Sequence, residues 1–390
     1  MSGRVTGAPS DPLRLRLQVI LLPRSAGSGI LRVPLAQDGT FEFPNVLPGT
    51  YSVRLAGGLV KETPTITISA GDVSGIELVV LDSNAVTHQQ GLTQVWSRSG
   101  TWRGLVGSEK TREIHASNGR TTALIDAAGK VVREFLGTAP TLRRARLNAS
   151  GDYALLLFGT GNANVTAYSS GGQVLWSYPA PGEASTGLDD VWPVDLNGDN
   201  VDEIVIGFNG GTGVRVIDGQ GKLLWQSTAI GNVWHVAGGK VRGDGTSSVV
   251  TTSAGGQVHV FTSDGTGRTD LAPGFYANMV RVGRAGASDT ADTIVAAGAA
   301  SGPTGSSAVS VAALSGTGAI KWSVQLDSST APPSVSSATV SESKPWVALG
   351  LQGGRVYVLD LGTGAVIAQT DGQGLRPQVG WISDGNGSAL

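Results

Sequence analysis

The clearest chemistry in this chain lies in nine residues, DLNGDNVDE, where Asp195, Asn197, Asp199, Val201 and Glu203 stand at alternate positions. Three carboxylates, one amide and a backbone carbonyl offer only oxygen. Hard oxygen donors suit Ca2+, whereas Zn2+ asks for nitrogen or sulfur. Gly198 permits the sharp turn that such spacing needs. An acidic, Asx-rich β-turn without metal is the alternative for the same residues. Arg146, Lys240 and Arg284 stand near the place of the first aspartate elsewhere in the chain, so a single Ca2+ site is expected.

Catalytic groups are sparse. His88, His115, His235 and His259 are scattered, with no HExxH and no pair at metal-ligand spacing. His259 alternates with Val258 and Val260 and is expected to face solvent. Asp189 and Asp190 read as solvated loop carboxylates with no facing acid. Arg143, Arg144 and Arg146 read as a solvated strand edge that discourages aggregation. No Cys is present, which removes disulfides, thiolate metal sites and a Cys nucleophile. Aromatic residues give a better lead for binding: Trp192, Trp234, Tyr276 and Trp381 recur at the start of similar strands, with His235 beside Trp234. Such positions would surround one mouth of a central channel and stack on sugars or anchor a protein loop. Packing between neighbouring sheets is the alternative for each.

The elements that position these groups repeat. VWPVDLNGDNVDEIVIGFNGGTGVRVIDGQGKLLW, residues 191–225, contains four short strands joined by Gly-rich turns. Its third strand and turn align with residues 122–129, 165–172, 258–265, 311–318 and 356–364, so the turn glycines 129, 172, 221, 265, 318 and 364 recur every 43 to 53 residues. That is close to the length of one propeller blade. Trp176, Trp225 and Trp322 follow the turn at equivalent places and are expected to pack. The fold class is therefore all-β, ending in a β-propeller. Blades are expected over 101–138, 139–180, 188–229, 231–270, 274–327 and 331–372. Residues 91–99 match a fourth strand and 376–390 a first strand, which predicts a seventh blade closed by both chain ends.

DLNGDNVDEIVIG, residues 195–207, resembles the FG-GAP or VCBS propeller repeat, which implies a Ca2+ loop between first and second strands. The repeat ends VIDGQGKLLW and AYSSGGQVLW also look like the PQQ-type repeat. DGTFEFPNVLPGTYSVRL, residues 38–55, resembles the carboxypeptidase regulatory-like module, a transthyretin-like or Ig-like β-sandwich that serves as a noncatalytic accessory. There Phe41, Phe43, Tyr51 and Val53 are expected on one face, between turns at Asp38-Gly39 and Pro48-Gly49. The expected domains are a sandwich over 1–81, a polar linker over 82–90 and the propeller over 91–390.

A formal net charge of -2 gives no long-range attraction to nucleic acid or an anionic membrane. No apolar stretch is long enough to span a bilayer, and LRLRLQVILL alternates as a strand instead of forming the core of a signal peptide. The family resemblance and the Ca2+ loop together imply an extracytoplasmic, secreted or cell-surface protein whose signal peptide is not in this sequence. The expected function is a noncatalytic binding or assembly module for a protein or a surface glycan. Alternatives are a polysaccharide lyase, a quinone-dependent dehydrogenase, or a homo-oligomeric filament subunit pairing strands at an incomplete blade.

Overall fold

The computed structural model describes residues 1–6, 18–23, 31–36, 38–56, 64–69, 71–79, 88–89, 102–137, 139–159, 164–180, 183, 185–299, 308–327, 334–371, 376–383 and 388–389. Two sheets form at the N-terminal end. Ser2–Thr6 lies between Thr40–Glu42, antiparallel to it, and Ile76–Val79, parallel to it. The other sheet runs in the order Leu31–Pro34, Gln18–Pro23, Gly49–Ala56 and Thr65–Ile68. Phe41, Phe43, Tyr51 and Val53 are all buried in one core with Val5 and Leu78, as strand alternation around the two turns requires.

Six antiparallel sheets follow among the described residues, each running through four strands in sequence order, and the sixth carries one further short strand at its outer edge. They span 104–136, 141–178, 188–227, 233–271, 276–327 and 335–371. The first strand of each is Gly104–Ser108, Thr141–Ala145, Leu188–Val194, Val233–Gly239, Tyr276–Gly283 and Val335–Val340. First strands of successive sheets pack on one another, so they gather around a common axis. Second strands are covered on both faces: Ala154–Phe158, Glu203–Phe208 and Ser248–Ser253 are buried throughout. That double burial is why ALLLF and EIVIGF run apolar without alternating. Leu156, Val191, Ile204 and Phe208 fill the space between the second and third sheets, and Val205, Val233, Val236 and Val249 fill the next.

A recurring tryptophan fastens sheet to sheet at the periphery. The indole N–H groups of Trp176, Trp225 and Trp322 donate to Gly219, Ser263 and Leu361 carbonyls in the following sheet's turn, at 2.9, 2.8 and 2.8 Å. Each ring then covers that turn's glycine. At Gly265 the backbone has φ +73, and a Cβ would sit 2.6 Å from the Trp225 ring. Only a residue without a side chain meets both conditions at low cost.

The first and sixth sheets are joined by two devices. The Glu109 carboxylate accepts from Ser341 Oγ at 2.8 Å, Ser343 Oγ at 3.0 Å and the Glu342 and Ser343 backbone N–H groups. Residues 377–382 lie between the two sheets. Ser336 and Ser337 hydroxyls donate to the Pro377 carbonyl at 2.9 and 2.7 Å, and Ile382 packs with Ile114 and Ala116. The ring of sheets is thus closed, and its architecture is a β-propeller. Trp381 belongs to this closure and not to a channel mouth: it is buried against Ala348, Val358 and Ala368. His88–Gln89, inside the expected linker, pairs with Gln369 and Thr370 on the outer edge of the sixth sheet. The strand expected over 91–99 lies outside the described residues.

Replacing Gly265 by Ala is expected to cost about 2 kcal/mol, from left-handed backbone strain and a displaced indole. Urea unfolding of Gly265→Ala, alone and with Trp225→Ala, measures it. Additive losses would show that ring and turn are not coupled.

Candidate functional site

Four first strands send polar or charged side chains to the axis, where one carboxylate holds them together. Asp190, on Leu188–Val194, is 2% exposed. Its Oδ1 meets Arg143 Nη2 from the second sheet at 3.0 Å, and its Oδ2 meets His235 Nδ1 from the fourth at 3.0 Å. Arg281 Nη1 reaches Oδ2 from the fifth sheet at 3.4 Å, and its Nε donates to the Ala338 carbonyl of the sixth at 2.9 Å. Both guanidinium groups lie over the Trp192 ring, Arg143 at 5.5 Å and Arg281 at 4.6 Å. Burial alone would raise the Asp190 carboxyl. The Arg143 and Arg281 charges, with the His235 hydrogen bond, overcome it and hold the group well below the usual carboxylate range. Burial lowers Arg281 to about 10 even with Asp190 beside it.

One end of this axis is shaped by four β-bulges. The register slips by one residue between Leu188 and Asp190, Val233 and His235, Ala277 and Met279, and Val335 and Ser337. The extra residues are Asp189, Trp234, Asn278 and Ser336, at matching places in four consecutive sheets. A bulge interrupts the alternation and re-aims its side chain, here at the start of every strand concerned. Trp234 meets Tyr276 edge-on at 5.7 Å, and Tyr276 is 40% exposed, its hydroxyl donating to the Ala254 carbonyl. Asp189 is half-buried. Burial raises its carboxyl, His235 lowers it and Asp190 raises it again. Asn278 Oδ1 is buried and has no hydrogen-bond partner among the described residues.

Of the five aromatic and histidine candidates, Trp234 and Tyr276 meet at this end, His235 and Trp192 belong to the charge cluster around Asp190, and Trp381 belongs to neither. The sequence reading of Asp189-Asp190 as solvated loop residues is corrected: both lie in a strand, and Asp190 is the buried hub. Sequence alone missed it because Arg143, His235 and Arg281 are 47, 45 and 91 residues away. The one local signal was the broken alternation in LDDVW and VWHVA, where a bulge shifts the face of each following side chain.

Other charged positions are also corrected. Arg144 is no solvated edge: its guanidinium lies 3.7 Å from the Tyr153 ring centre, and Nη1 donates to Thr111 Oγ1 at 2.7 Å. Arg146 and Asp202 exchange backbone contacts, Arg146 N–H to Oδ2 and Asp202 N–H to the Arg146 carbonyl, both at 2.7 Å, with Arg146 Nη2 on Oδ1 at 3.2 Å. Lys240 and Asp292 repeat the backbone exchange at 2.8 and 3.0 Å. His259 is buried, not solvent-facing, with Nδ1 2.8 Å from Asp270 and Nε2 2.9 Å from Ser253. Burial lowers His115 to about 3, next to the Tyr153 hydroxyl.

The oxygen-rich loop sits at the opposite end of the third sheet's first strand. Asp195 accepts from the Gly198 and Asn200 N–H groups at 2.7 and 3.0 Å, Asn197 Oδ1 from Asp199 at 2.9 Å, and Asp199 Oδ1 from Val201 at 2.8 Å. Asn197 Nδ2 lies between Asp199 Oδ2 and Glu203 Oε1, at 3.1 and 3.0 Å. Glu203 also accepts from Leu196 N–H at 2.8 Å. Burial raises the Glu203 carboxyl, and the Asp199 and Asp195 charges add to it. These donors fit a hard cation in kind, and the unbalanced negative charge would favour one. The loop is closed by its own hydrogen bonds, however, and no three Asp, Glu or His among the described residues are arranged to hold a metal.

Asp190→Asn keeps the shape but leaves Arg281 buried without its carboxylate, so a loss of about 3–5 kcal/mol is expected at pH 7. The folded carboxyl titrates below its unfolded value. Its contribution is therefore complete above about pH 4 and disappears as pH falls through the folded value. Urea unfolding of wild type and variant should differ equally at pH 7 and 5 and converge in acid. A pH-independent difference would contradict this.

Residues 160–297 match the family model for the lambda-carrageenase beta-propeller domain. The match runs from the third strand of the second sheet into the second strand of the fifth. It takes in Asp189, Asp190, Trp192, the 195–203 loop, Trp234, His235, Tyr276 and Arg281, and leaves out Arg143 and Trp381. No curated protein matches the chain.

Proposed function

We propose that the chain is an extracytoplasmic glycan-binding protein. In this view a transthyretin-like or Ig-like accessory module over 1–81, of the carboxypeptidase regulatory-like type, is tethered through 82–90 to a seven-bladed propeller over 91–390. Both chain ends contribute to the last blade. The glycan lies at the bulged end of the axis. The observation that carries this is the edge-on Trp234–Tyr276 pair at the bulged strand starts, with Tyr276 40% exposed and His235 next to Trp234 in the chain. Aromatic faces stack on the apolar faces of sugar rings, while imidazole groups meet hydroxyls. All three residues lie in the stretch that matches the carrageenase-type domain, and a carrageenase acts on a polysaccharide. The FG-GAP-type loop binds Ca2+ through Asp195, Asn197, Asp199, Glu203 and the Val201 carbonyl. The ion stiffens the loop and takes no part in glycan contact, because the loop lies at the other end of its strand.

Two measurements test these roles. In affinity electrophoresis the intact chain should be retarded by lambda-carrageenan and less by dextran, and Trp234→Ala should weaken retardation at least tenfold. Equal migration with and without polymer would refute glycan binding there. Thermal melts should shift upward on adding Ca2+ to chelator-treated protein, and Asp195→Ala should abolish the shift. An unchanged wild-type melt would refute the metal site.

A further inference from the structure

We propose that Ser253, His259 and Asp270 form a nucleophilic site on the fourth sheet, in which His259 activates the Ser253 hydroxyl to attack the carbonyl of a small acyl ester. The site lies apart from the charge cluster on the axis, and its assignment does not depend on glycan binding.

The three residues come from consecutive strands. Ser253 ends Ser248–Ser253, His259 lies in Val258–Thr262 and Asp270 in Arg268–Leu271. Pairing sets Thr251 opposite His259 and His259 opposite Asp270. Strand alternation then puts Ser253 on their face, the one that Val249 and Phe261 turn to the third sheet. Ser253 Oγ is 2.9 Å from His259 Nε2, and His259 Nδ1 is 2.8 Å from Asp270 Oδ1. Asp270 is fixed in turn by Arg268, with Nε on Oδ1 at 2.9 Å and Nη2 on Oδ2 at 3.1 Å. The His259 hydrogen bond, helped by Arg268, holds the Asp270 carboxyl below its usual range. An ionised Asp270 accepts the Nδ1 proton, which leaves the Nε2 lone pair facing the hydroxyl. Nucleophile, base and orienting carboxylate, linked in that order, are what an activated serine requires.

A histidine with a purely structural role would make the same two bonds but would need no approach to the hydroxyl. Here a glycine provides one. Ser253 is 4% exposed, yet it opens a turn in which Ala254 and Gly255 are exposed. Apart from its chain neighbours, a Cβ on Gly255 would have Ser253 Oγ as its nearest atom, at 3.7 Å, and only Gln257 Oε1, at 3.9 Å, otherwise within 4 Å. A group of about methyl size placed over Gly255 therefore meets the hydroxyl, which favours acetyl-sized acyl chains. Within the turn, the Ala254 and Gly256 N–H groups donate to the Asn232 and Ser253 carbonyls, both at 2.9 Å, and the Gly255 N–H has no hydrogen bond among the described residues. That N–H is the donor free to meet an oxyanion. Tyr276 Oη pins the turn through the Ala254 carbonyl.

The reaction balances with water as co-reactant. The Ser253 oxygen bonds to the ester carbonyl carbon as its proton passes to His259 Nε2. The bond to the alcohol oxygen breaks, and that oxygen keeps the electron pair and takes the proton. Water then attacks the acyl-serine and gives a proton to Nε2, and the Ser253 oxygen leaves with its electron pair and recovers that proton. Ester and water become carboxylic acid and alcohol.

The test treats the intact chain with a biotinylated fluorophosphonate and, separately, with p-nitrophenyl acetate. Peptide mass spectrometry should place one fluorophosphonate on Ser253, and p-nitrophenol release should fall by about 100-fold or more in Ser253→Ala and His259→Gln. Gly255→Leu leaves all three linked residues in place, and Gly255 has no positive φ that a side chain would strain. Its near-UV circular dichroism should match wild type while labelling of Ser253 drops at least tenfold. No label on Ser253 in the folded wild type overturns the proposal. So does p-nitrophenol release that Ser253→Ala leaves unchanged, or labelling that Gly255→Leu leaves at the wild-type rate.

Discussion

A carboxylate removed from water must be compensated, and at Asp190 the compensation comes from three other sheets. Arg143, His235 and Arg281 can reach it together only if their first strands stand at fixed distances and angles around one axis. Buried ion pairs contribute little net stability, since desolvation consumes most of the attraction. What they do supply is discrimination. Any slip in register by one residue would turn Arg281 or Arg143 toward another face and leave a charge buried alone, at a cost of several kcal/mol. The apolar layers between sheets, built from interchangeable Val, Ile and Leu, cannot impose that selectivity by themselves.

The four bulges and this ion cluster depend on each other. Were residue 189 paired regularly instead of bulged, the alternation from Leu188 would put Asp190 and Trp192 on the face now taken by Val191, against the apolar space of the second sheet. The same holds for His235 after Trp234. The bulges thus do two things at once: they turn the polar groups inward along the axis and leave Asp189 and Trp234 at its end. A site on such residues has a rigid floor, because the strands beneath are fixed by charge pairing on one side and by the tryptophan-to-turn contacts at the rim.

Much of the architecture was legible in the sequence for a simple reason: contacts that repeat leave a repeating mark. The turn glycines and Trp176, Trp225 and Trp322 fill the same structural role in several sheets, so their spacing in the sequence marks the sheets. Phe41, Phe43, Tyr51 and Val53 were readable because alternation turns each pair to one side of its strand, and the two strands, although in different sheets, face one core. Asp190, His259 and Arg144 were not, since each is compensated by partners that occur once and lie far away or across a strand. Single-sequence logic assigns an isolated charged residue to solvent, which is the better choice until a unique partner overrules it. Trp381 failed differently: it shares the position of the mouth aromatics, but the segment that carries it is packed between two sheets.

The same distinction separates two aspartates of the oxygen-rich loop. Asp195 and Asp202 are seven residues apart in one acidic stretch, yet only Asp202 faces another sheet, where Arg146 supplies a backbone N–H and a guanidinium. Asp292 repeats the backbone exchange with Lys240 and pairs with Arg284 at 3.2 Å. At Arg146 and Arg284, where the first aspartate of the oxygen-rich loop would stand, a guanidinium pairs with the aspartate that precedes a second strand. Such positions hold a latch between sheets or an ion pair within one in place of an oxygen ligand. At 195–203 both occur side by side: Asp202 latches to the second sheet, and Asp195, Asp199 and Glu203 turn inward on their own loop. That loop still concentrates negative charge with no cation of the protein paired to Asp195, Asp199 or Glu203 among the described residues. Its charge is the physical reason to look there, and not at the positions of Arg146 or Lys240, for a metal ion.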